Sequence, residues 1–410
     1  MSTPRIRSIA MIDSDGGDGI GGYTYELAEG LVANGVEVDV YANGREPVLP
    51  LRRRHRVLPV LGQSLFGRRR LSGGSRRVSE SSEPTERPTA PRRRGWRSAI
   101  RKRLLPLELA LHLKRKRYAF VWVQWSGDVY DNEFYAWCKR FGMPVVHTVH
   151  NILPHEERPE DIAAVSGLYD GADALVVHSY AARDELLLRF PTVTSKTIVS
   201  RIGLYTMFPQ SGARQASRQQ LGLEENEPLV LFFGGIRPYK NIDAVLAALA
   251  TPALRNARLV VAGRETGYAN QIPGDPLSRT RRIARELGIS ERTCLVPGRL
   301  DLADTSALFS AADILALPYA KSYGSASLLL GMSFGKHIVA TKTGGMDEYL
   351  ATYQRHTLLD GCDAQSVATG LTHAVNQLRM CRSEPEADMA EFQWPNIAKG
   401  LLGQLGHLLS

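Results

Sequence analysis

The stretch that decides the fold is LFFGGIRPYKN, at residues 231–241. An apolar run typical of a buried strand stops at Gly234 and Gly235, and Arg237 and Lys240 follow just before a helical pattern. Glycines let the backbone approach a ligand and cations bind phosphate oxygens, so the stretch is either an ordinary strand-to-helix turn or a seat for phosphate. It is not a P-loop, because the GK[ST] ending is missing. We predict that these four residues bind an anionic group.

The sequence on both sides of this stretch alternates between strand and helix patterns. The predicted strands are 5–12, 36–41, 119–124, 144–149, 174–178, 229–233, 257–262, 293–296, 313–317 and 337–340, and the predicted helices are 23–34, 104–113, 242–250, 279–287 and 325–334. This alternation predicts an α/β protein with parallel sheets covered by helices. Since the chain has 410 residues, we expect two such domains.

The net charge of +9 is concentrated in one segment. Residues 52–103 contain 17 Lys and Arg against 3 Glu, a local charge of +14, and their centre is rich in Ser, Pro and Gly. Such a composition buries too little apolar surface to fold, so we expect a basic, disordered insert in the first domain, over residues 50–104. The charge suits an anionic membrane surface, and a solvated insert without a partner is the simpler interpretation.

Three further loops follow predicted strands, where open parallel sheets bind their ligands. The first, at 13–22, is rich in glycine and contains Asp18, Gly21 and Gly22. A ligand loop and a plain tight turn fit it equally well. The second is HTVHNILPHEE at 147–157, in which His150 and Glu156 could act as base or acid. A purely structural histidine is the alternative.

The third loop lies within residues 317–336 and places Gly324, Ser325 and Ser327 before an apolar helix. Hydroxyl groups and free N–H groups at a helix N-terminus suit a phosphate, although Ser325 could also serve only as an N-cap. We predict that this loop and the LFFGGIRPYKN stretch hold one diphosphate between them.

Several features count against other protein classes. The first residues have too short an apolar run for a signal peptide, and no window reaches the roughly 18 apolar residues of a membrane-spanning helix, so we expect a cytoplasmic protein. The four cysteines show no CxxC spacing, and the second half has no DxD-like pair, so we expect no metal site.

Five stretches, in order along nearly the whole chain, together resemble GT-B glycosyltransferases of the GT4-like group. They are GGYTYEL at 21–27, TVHN at 148–151, FFGGIRPYKNID at 232–243, GMSFGKHIVATKTGGMDEYL at 331–350 and FQWPNIAKGLLGQL at 392–405. The resemblance implies two Rossmann-like domains that face a cleft: an acceptor-side domain at 1–205 and a nucleotide-sugar-binding domain at 206–388. A C-terminal helix at 389–410 would cross back to the first domain.

The resemblance also implies residue roles. Gly21 and Gly22 correspond to the acceptor-side loop, the two phosphate loops to the donor site, and Glu348 to a donor contact from the helix side. His150 would lie nearest the reacting centre, and His150, Glu156 or Asp18 would be the base if the reaction inverts. The chain departs from the family at two glutamate positions, which hold Ser322 and Leu330, and at the usual arginine, which is Gly235 with Arg237 nearby.

The segments HNILPHE, GGIRPYK and LPY…GSASLLL are similar to bacterial exopolysaccharide mannosyltransferases that add β-mannose to a lipid-linked sugar. This implies a GDP-mannose or UDP-sugar donor, a lipid-linked saccharide acceptor, no cofactor or metal, and a place at the inner face of the cytoplasmic membrane. Two other classes are weighed: a nucleic-acid-binding protein that uses the arginine-rich insert, and an NAD(P)-dependent oxidoreductase. The first has few stacking aromatics such as Trp96 near the arginines of the insert, and the second lacks a clean GxGxxG motif. We therefore expect no nucleic acid partner.

Overall fold

The structure of the chain is a computed structural model, and it describes residues 6–14, 18–43, 53–61, 96–125, 132–153, 159–209, 214–264, 276–380 and 389–409. Within these residues the chain forms two parallel β-sheets with helices packed on them. The α/β class with two Rossmann-like sheets, expected from the strand and helix patterns, is confirmed.

The first sheet contains seven strands in the order β3-β2-β1-β4-β5-β6-β7, and its neighbouring strands pair in parallel. These strands are β1 (Ser8–Asp13), β2 (Glu37–Asn43), β3 (Arg56–Leu61), β4 (Val121–Trp125), β5 (Val145–Thr148), β6 (Ala174–Val177) and β7 (Thr197–Val199). The helices between them are α1 (Asp18–Ala33), α2 (Trp96–Lys116), α3 (Asn132–Arg140), α4 (Pro159–Gly171) and α5 (Tyr180–Arg189). Strand β6 is entirely buried, as expected for a central parallel strand covered on both faces.

The second sheet contains six parallel strands in the order β10-β9-β8-β11-β12-β13. They are β8 (Leu229–Phe233), β9 (Arg258–Gly263), β10 (Thr293–Pro297), β11 (Ile314–Leu317), β12 (His337–Thr341) and β13 (His356–Leu359). Its helices are α6 (Arg214–Gln220), α7 (Ile242–Leu249), α8 (Pro276–Glu286), α9 (Leu302–Ala311), α10 (Ala326–Ser333), α11 (Met346–Leu350) and α12 (Ala364–Met380). From β8 the chain first adds β9 and β10 on one side and then β11, β12 and β13 on the other side. The direction of strand addition thus reverses between β8 and β11, and the carboxyl ends of these two strands form a crevice suited to ligands.

The last helix, α13 (Trp394–Leu408), packs against α1 of the first sheet. The contact is close, because a Cβ built on Gly30 would lie 2.6 Å from the Trp394 carbonyl oxygen. The Trp394 indole N–H donates to the Leu204 carbonyl at 2.7 Å, which connects α13 to the segment between β7 and β8. No helix among the described residues is long and apolar enough to cross a membrane.

The expectation of a disordered insert over 50–104 is wrong at both ends of that range. Residues 56–61 form β3, and α2 begins at Trp96 rather than near residue 104. Strand β3 pairs with β2, and Asp39 on β2 binds the Arg56 guanidinium through two hydrogen bonds of 2.5 and 2.6 Å. The centre of the insert, 62–95, lies outside the described residues.

The prediction that Gly21 and Gly22 form a loop is also wrong, because α1 already begins at Asp18. An acidic residue is favourable at a helix N-terminus, which explains the early start. Gly22 serves close packing instead: a Cβ there would lie 3.2 Å from Tyr205 Cε1. The side chain of Asp18 is not among those described, and Glu156 lies wholly outside the described residues.

Candidate active site

The loop after β8 and the loop before α10 meet at the carboxyl edge of the second sheet. Gly234 has φ +100°, a left-handed value that suits glycine, and its N–H donates to the Ala262 carbonyl at 2.9 Å. A Cβ built on Gly234 would lie 2.8 Å from Lys240 Nζ and 3.3 Å from Ser327 Oγ. The ammonium of one loop and the hydroxyl of the other therefore both lie against the backbone of Gly234.

Lys240 is a buried cation at this point. Its Nζ lies 5.1 Å from the centre of the Tyr319 ring, a cation–π distance. Burial, with repulsion from Arg237 as a smaller cause, lowers the pKa of Lys240 below its usual value. No salt bridge joins it to a carboxylate among the described residues. A buried ammonium in this position gains stability when an anion binds beside it.

The loop before α10 presents hydrogen-bonding groups next to this cation. Ser325 is the N-cap of α10, and its Oγ accepts a hydrogen bond from the Leu328 N–H at 3.1 Å. The N-cap alternative for Ser325 is therefore correct as a structural role. Ser327 Oγ donates to the Phe233 carbonyl at 3.3 Å, and Ser322 Oγ donates to the Gly324 carbonyl at 2.9 Å. The first turn of α10 adds N–H groups and the positive end of the helix dipole.

The two positions at which the resembled family carries glutamates have different surroundings here. Leu330 is buried in the hydrophobic core beneath α10, and Ser322 bonds within its own loop. Neighbouring Tyr323 reaches across the cleft and packs in the core of the first domain. Neither position therefore supplies the carboxylate that usually binds the ribose in the resembled group.

On the opposite side, the partly buried His150 and the buried His178 form a pair after β5 and β6. His178 Nδ1 lies 3.2 Å from the Ser200 carbonyl, which can only accept, so this nitrogen carries the proton. His178 Nε2 then accepts from His150 Nδ1 at 3.3 Å. By this assignment His150 Nε2 is an unprotonated acceptor, and it is buried with no partner among the described residues.

The environment keeps both imidazoles neutral. Burial lowers the pKa of His150 well below its usual value, with the neighbouring His178 as a further cause, and lowers the pKa of His178 to about 4. The Tyr23 ring on α1 covers the pair, with its centre 5.0 Å from each imidazole. His150 can therefore accept a hydrogen bond from a ligand hydroxyl at neutral pH.

Helix α11 of the second sheet binds the first domain directly. Glu348 accepts hydrogen bonds from the Tyr180 and Ala181 N–H groups, at 2.8 and 2.7 Å, and so adds to the N-cap of α5, which is Ser179. The Tyr349 hydroxyl donates to the His178 carbonyl at 2.7 Å and accepts from the Ile202 N–H at 2.9 Å. Both oxygens of Glu348 are occupied in this way, and its contact with a donor stays a prediction.

Sequence reasoning missed His178, Tyr349 and the capping role of Glu348. Each acts on a residue far away in the chain, such as the pair Glu348 and Tyr180 at a separation of 168 residues. The strand pattern gave one usable signal, because His178 is the last residue of the predicted strand 174–178. Among the described residues, no three His, Cys, Asp or Glu side chains are grouped as metal ligands would be.

Comparison with protein families matches both domains. Residues 18–197 match the glycosyl transferase 4-like domain, and residues 213–387 match glycosyl transferases group 1. A curated relative, the D-inositol 3-phosphate glycosyltransferase of Mycobacterium ulcerans, is 30% identical over 281 residues, which are 64% of this chain and 58% of the relative. The homologous protein of Mycobacterium marinum matches to the same extent. The chain thus spans less than two thirds of the length of the curated relatives it matches.

Solved structures show the same fold over nearly the whole chain. A sucrose-phosphate synthase from Thermosynechococcus elongatus has a TM-score of 0.68 and 18% identity, covering 98% of this chain and 99% of its own. WaaG, a glycosyltransferase involved in lipopolysaccharide biosynthesis, has a TM-score of 0.60 and 16% identity, with coverages of 98% and 99%. Anabaena HepE in complex with UDP and glucose has a TM-score of 0.60 and 16% identity, with coverages of 97% and 95%.

Proposed function

Because the chain belongs to the glycosyltransferases through both of its domains, we propose that it transfers a sugar from a nucleotide diphosphate to a saccharide hydroxyl. The observation that carries this proposal is the buried ammonium of Lys240, which lies beside Ser327. This ammonium forms no salt bridge with any described carboxylate. A diphosphate supplies the missing anion. The binding of UDP in the structurally similar Anabaena protein agrees with such a donor.

The chemical barrier to this reaction is the negative charge that develops on the leaving diphosphate. Lys240 and Arg237 would neutralise that charge, and the N–H groups at the start of α10 would bind the phosphate oxygens. Groups that are already fixed and partly desolvated need little reorganisation as the charge develops, which is why they lower the barrier.

His150 would contact a substrate hydroxyl through its unpartnered Nε2. Because its pKa is lowered, the imidazole stays neutral and accepts a hydrogen bond rather than donating one. If the anomeric centre is inverted, His150, Glu156 and Asp18 remain the proposed bases. The anomeric NMR signal of the product decides between inversion and retention.

For the donor we propose GDP-mannose or a UDP-sugar, and for the acceptor a lipid-linked saccharide of a bacterial exopolysaccharide or cell-surface glycan. The support is the pattern HNILPHE, GGIRPYK and GSASLLL, which is similar to exopolysaccharide mannosyltransferases. Lys240 and Arg237 would neutralise the diphosphate charge, so we propose transfer without a metal ion or other resident cofactor.

We also propose that the first domain binds an anionic membrane surface through α2. Leu105, Leu109 and Leu113 bury one face of this helix in the core, while Leu104 is 46% exposed and Arg115 and Lys116 are exposed near its end. Each cation near an anionic leaflet contributes about 1 kcal/mol, so the double change of Arg115 and Lys116 to Gln should weaken binding about 30-fold. Flotation with phosphatidylglycerol vesicles measures this, and phosphatidylcholine vesicles are the control. Equal binding to both vesicle types would refute it.

The transferase proposal is tested with a panel of UDP- and GDP-sugars. We expect the purified full chain to release UDP or GDP from one donor, faster when a saccharide acceptor is added. No release from any donor, together with tight and salt-sensitive binding of DNA, would overturn the proposal in favour of a nucleic-acid-binding protein.

A further inference from the structure

The carboxyl edge of the first sheet carries a row of polar side chains on the face covered by α1, and all of them are buried except His150, which is partly buried. We call this row the polar floor: Asp13 ends β1, Gln124 lies near the end of β4, Thr148 ends β5, and His150 and His178 follow β5 and β6. The four strands are neighbours in the sheet, so these side chains line one continuous edge.

Gln124 differs from the other members of the floor. It is completely buried, and neither its amide nitrogen nor its amide oxygen has a hydrogen-bond partner among the described residues. By contrast, the Thr148 hydroxyl on the next strand accepts from the Trp122 indole N–H at 2.9 Å. Buried polar groups are nearly always paired, so an amide with both ends unpaired indicates that a ligand or an ordered water completes the site.

The backbone at Gln124 is also irregular. Along β1 and β4, Ile12 pairs with Val123 but Asp13 pairs with Trp125, so Gln124 is one residue too many for the ladder. Bulges of this kind re-aim side chains and are frequent next to functional sites. The sheet thus departs from regular pairing at the residue whose amide is unpaired.

The charge of the polar floor limits the ligand. Its described members include no lysine or arginine, and Asp13 contributes a carboxylate. The two histidines are neutral because burial lowers the pKa of both. A phosphate group would meet no positive charge among these described side chains, whereas a hydroxyl can donate to the amide oxygen and accept from the amide nitrogen.

We propose that Gln124 binds hydroxyl groups of the acceptor and that the polar floor selects an uncharged saccharide over a phosphorylated one. This assignment rests on the proposed transferase function, since it concerns the acceptor of that reaction. It would separate this chain from its curated relatives, whose name specifies D-inositol 3-phosphate. Gln124 would then be a specificity-determining residue on the side of the cleft opposite Lys240.

The first test needs no ligand. Gln124→Met keeps the length of the side chain and removes both unpaired groups, so it should raise the melting temperature by about 2–4 °C. The matched control is Thr148→Val, which removes a paired hydroxyl and should lower it. A fall for Gln124→Met as large as that of the control would overturn the proposal, because the amide would then be a structural element.

The second test measures binding by NMR titration in the presence of UDP or GDP. The probes are methyl glucoside and methyl mannoside as uncharged saccharides, and inositol 3-phosphate as the phosphorylated one. We expect wild type to prefer a methyl glycoside, Gln124→Met to bind it about tenfold more weakly, and nucleotide affinity to stay within threefold. Equal glycoside binding by wild type and variant would mean that the amide holds only water. A preference for inositol 3-phosphate, or no glycoside binding, would equally overturn the proposal.

These outcomes are separable from a failure of the transferase proposal. Absence of nucleotide release from every donor would refute transfer, while the titration would still show whether Gln124 binds saccharide hydroxyls. Release of nucleotide with unchanged glycoside binding in Gln124→Met would refute the role of Gln124 alone.

Discussion

The replacement Lys240→Met is the most direct test of the diphosphate seat. Methionine keeps an unbranched, apolar side chain against the Tyr319 ring and removes only the charge. If a phosphate oxygen sits about 4 Å from the ammonium, an effective dielectric constant of about 20 gives an interaction of about 4 kcal/mol. At about 1.4 kcal/mol per factor of ten, we expect kcat/KM to fall about 1,000-fold.

The fold should survive this change. The Lys240 ammonium is buried and forms no salt bridge with a described carboxylate, so its removal relieves a desolvation cost and loses the cation–π contact with Tyr319. The matched control is Lys336→Met, at the opposite edge of the same sheet just before β12. Lys336 Nζ donates to the Ala312 carbonyl at 3.0 Å, and burial lowers the pKa of Lys336 to about 8. Its loss should lower stability and leave turnover per folded molecule within threefold.

The assay is nucleotide release from the donor that wild type uses, with the melting temperature measured on the same samples. A fall in kcat at unchanged donor KM would place the Lys240 contact in the transition state, whereas a rise in donor KM alone would place it in the bound ground state as well. Turnover within threefold of wild type, in a folded Lys240→Met protein, would remove Lys240 from the mechanism.

Three further predictions concern the stability of the fold and the binding of the donor. Tyr349→Phe leaves the His178 carbonyl and the Ile202 N–H unpaired, so the free energy of unfolding in urea should fall by about 2 kcal/mol. An unchanged urea midpoint would contradict a stabilising role for these two hydrogen bonds. Glu348→Ala removes two hydrogen bonds to the first turn of α5 but leaves its N-cap Ser179, and it should cost about 1 kcal/mol; an added tenfold rise in donor KM would support the predicted donor contact. Burial lowers the pKa of His147, His178 and His337 to about 4 in the folded protein. In the unfolded chain the pKa of histidine is about 6.5, so the unfolded chain binds protons at a higher pH than the folded protein does, and acid favours unfolding. Stability should drop by up to about 3 kcal/mol per histidine between pH 6.5 and 4, and a flat urea midpoint from pH 7.5 to 4.5 would be inconsistent with this.

Local sequence signals predicted the parts of the fold that depend on local physics. The apolar run before Gly234 predicted β8, and Gly35, with φ +79°, ends α1 as a C-terminal glycine. Strand β3 was missed because its neighbours in sequence are arginines, and the buried Asp39 that orders Arg56 lies 17 residues earlier. Nothing in the local pattern around 56–61 reports that partner.

The candidate site likewise contains residues that local sequence predicted and features that depend on the folded structure. The glycines and cations of residues 234–240 were visible because their chemistry is concentrated in one short stretch. The proton arrangement of His150 and His178 depends on the Ser200 carbonyl, which no residue-type pattern encodes. The same applies to Gln124, since a bulge and an unpaired amide are properties of the folded sheet.

The approach of the two domains depends on a pair of glycines as much as on polar contacts. Gly344 and Gly345 have φ +60° and +80°, left-handed values that other residues adopt at a cost. A Cβ on Gly344 would overlap the Ser322 carbonyl of the donor-side loop, and a Cβ on Gly345 would overlap the Ser179 side chain at the start of α5. The backbone of these glycines therefore fills the space between the phosphate-binding loops and the first domain. Any side chain added at Gly344 or Gly345 must displace one of these neighbours, so the close approach of the donor-side loop and the start of α5 requires glycine at both positions.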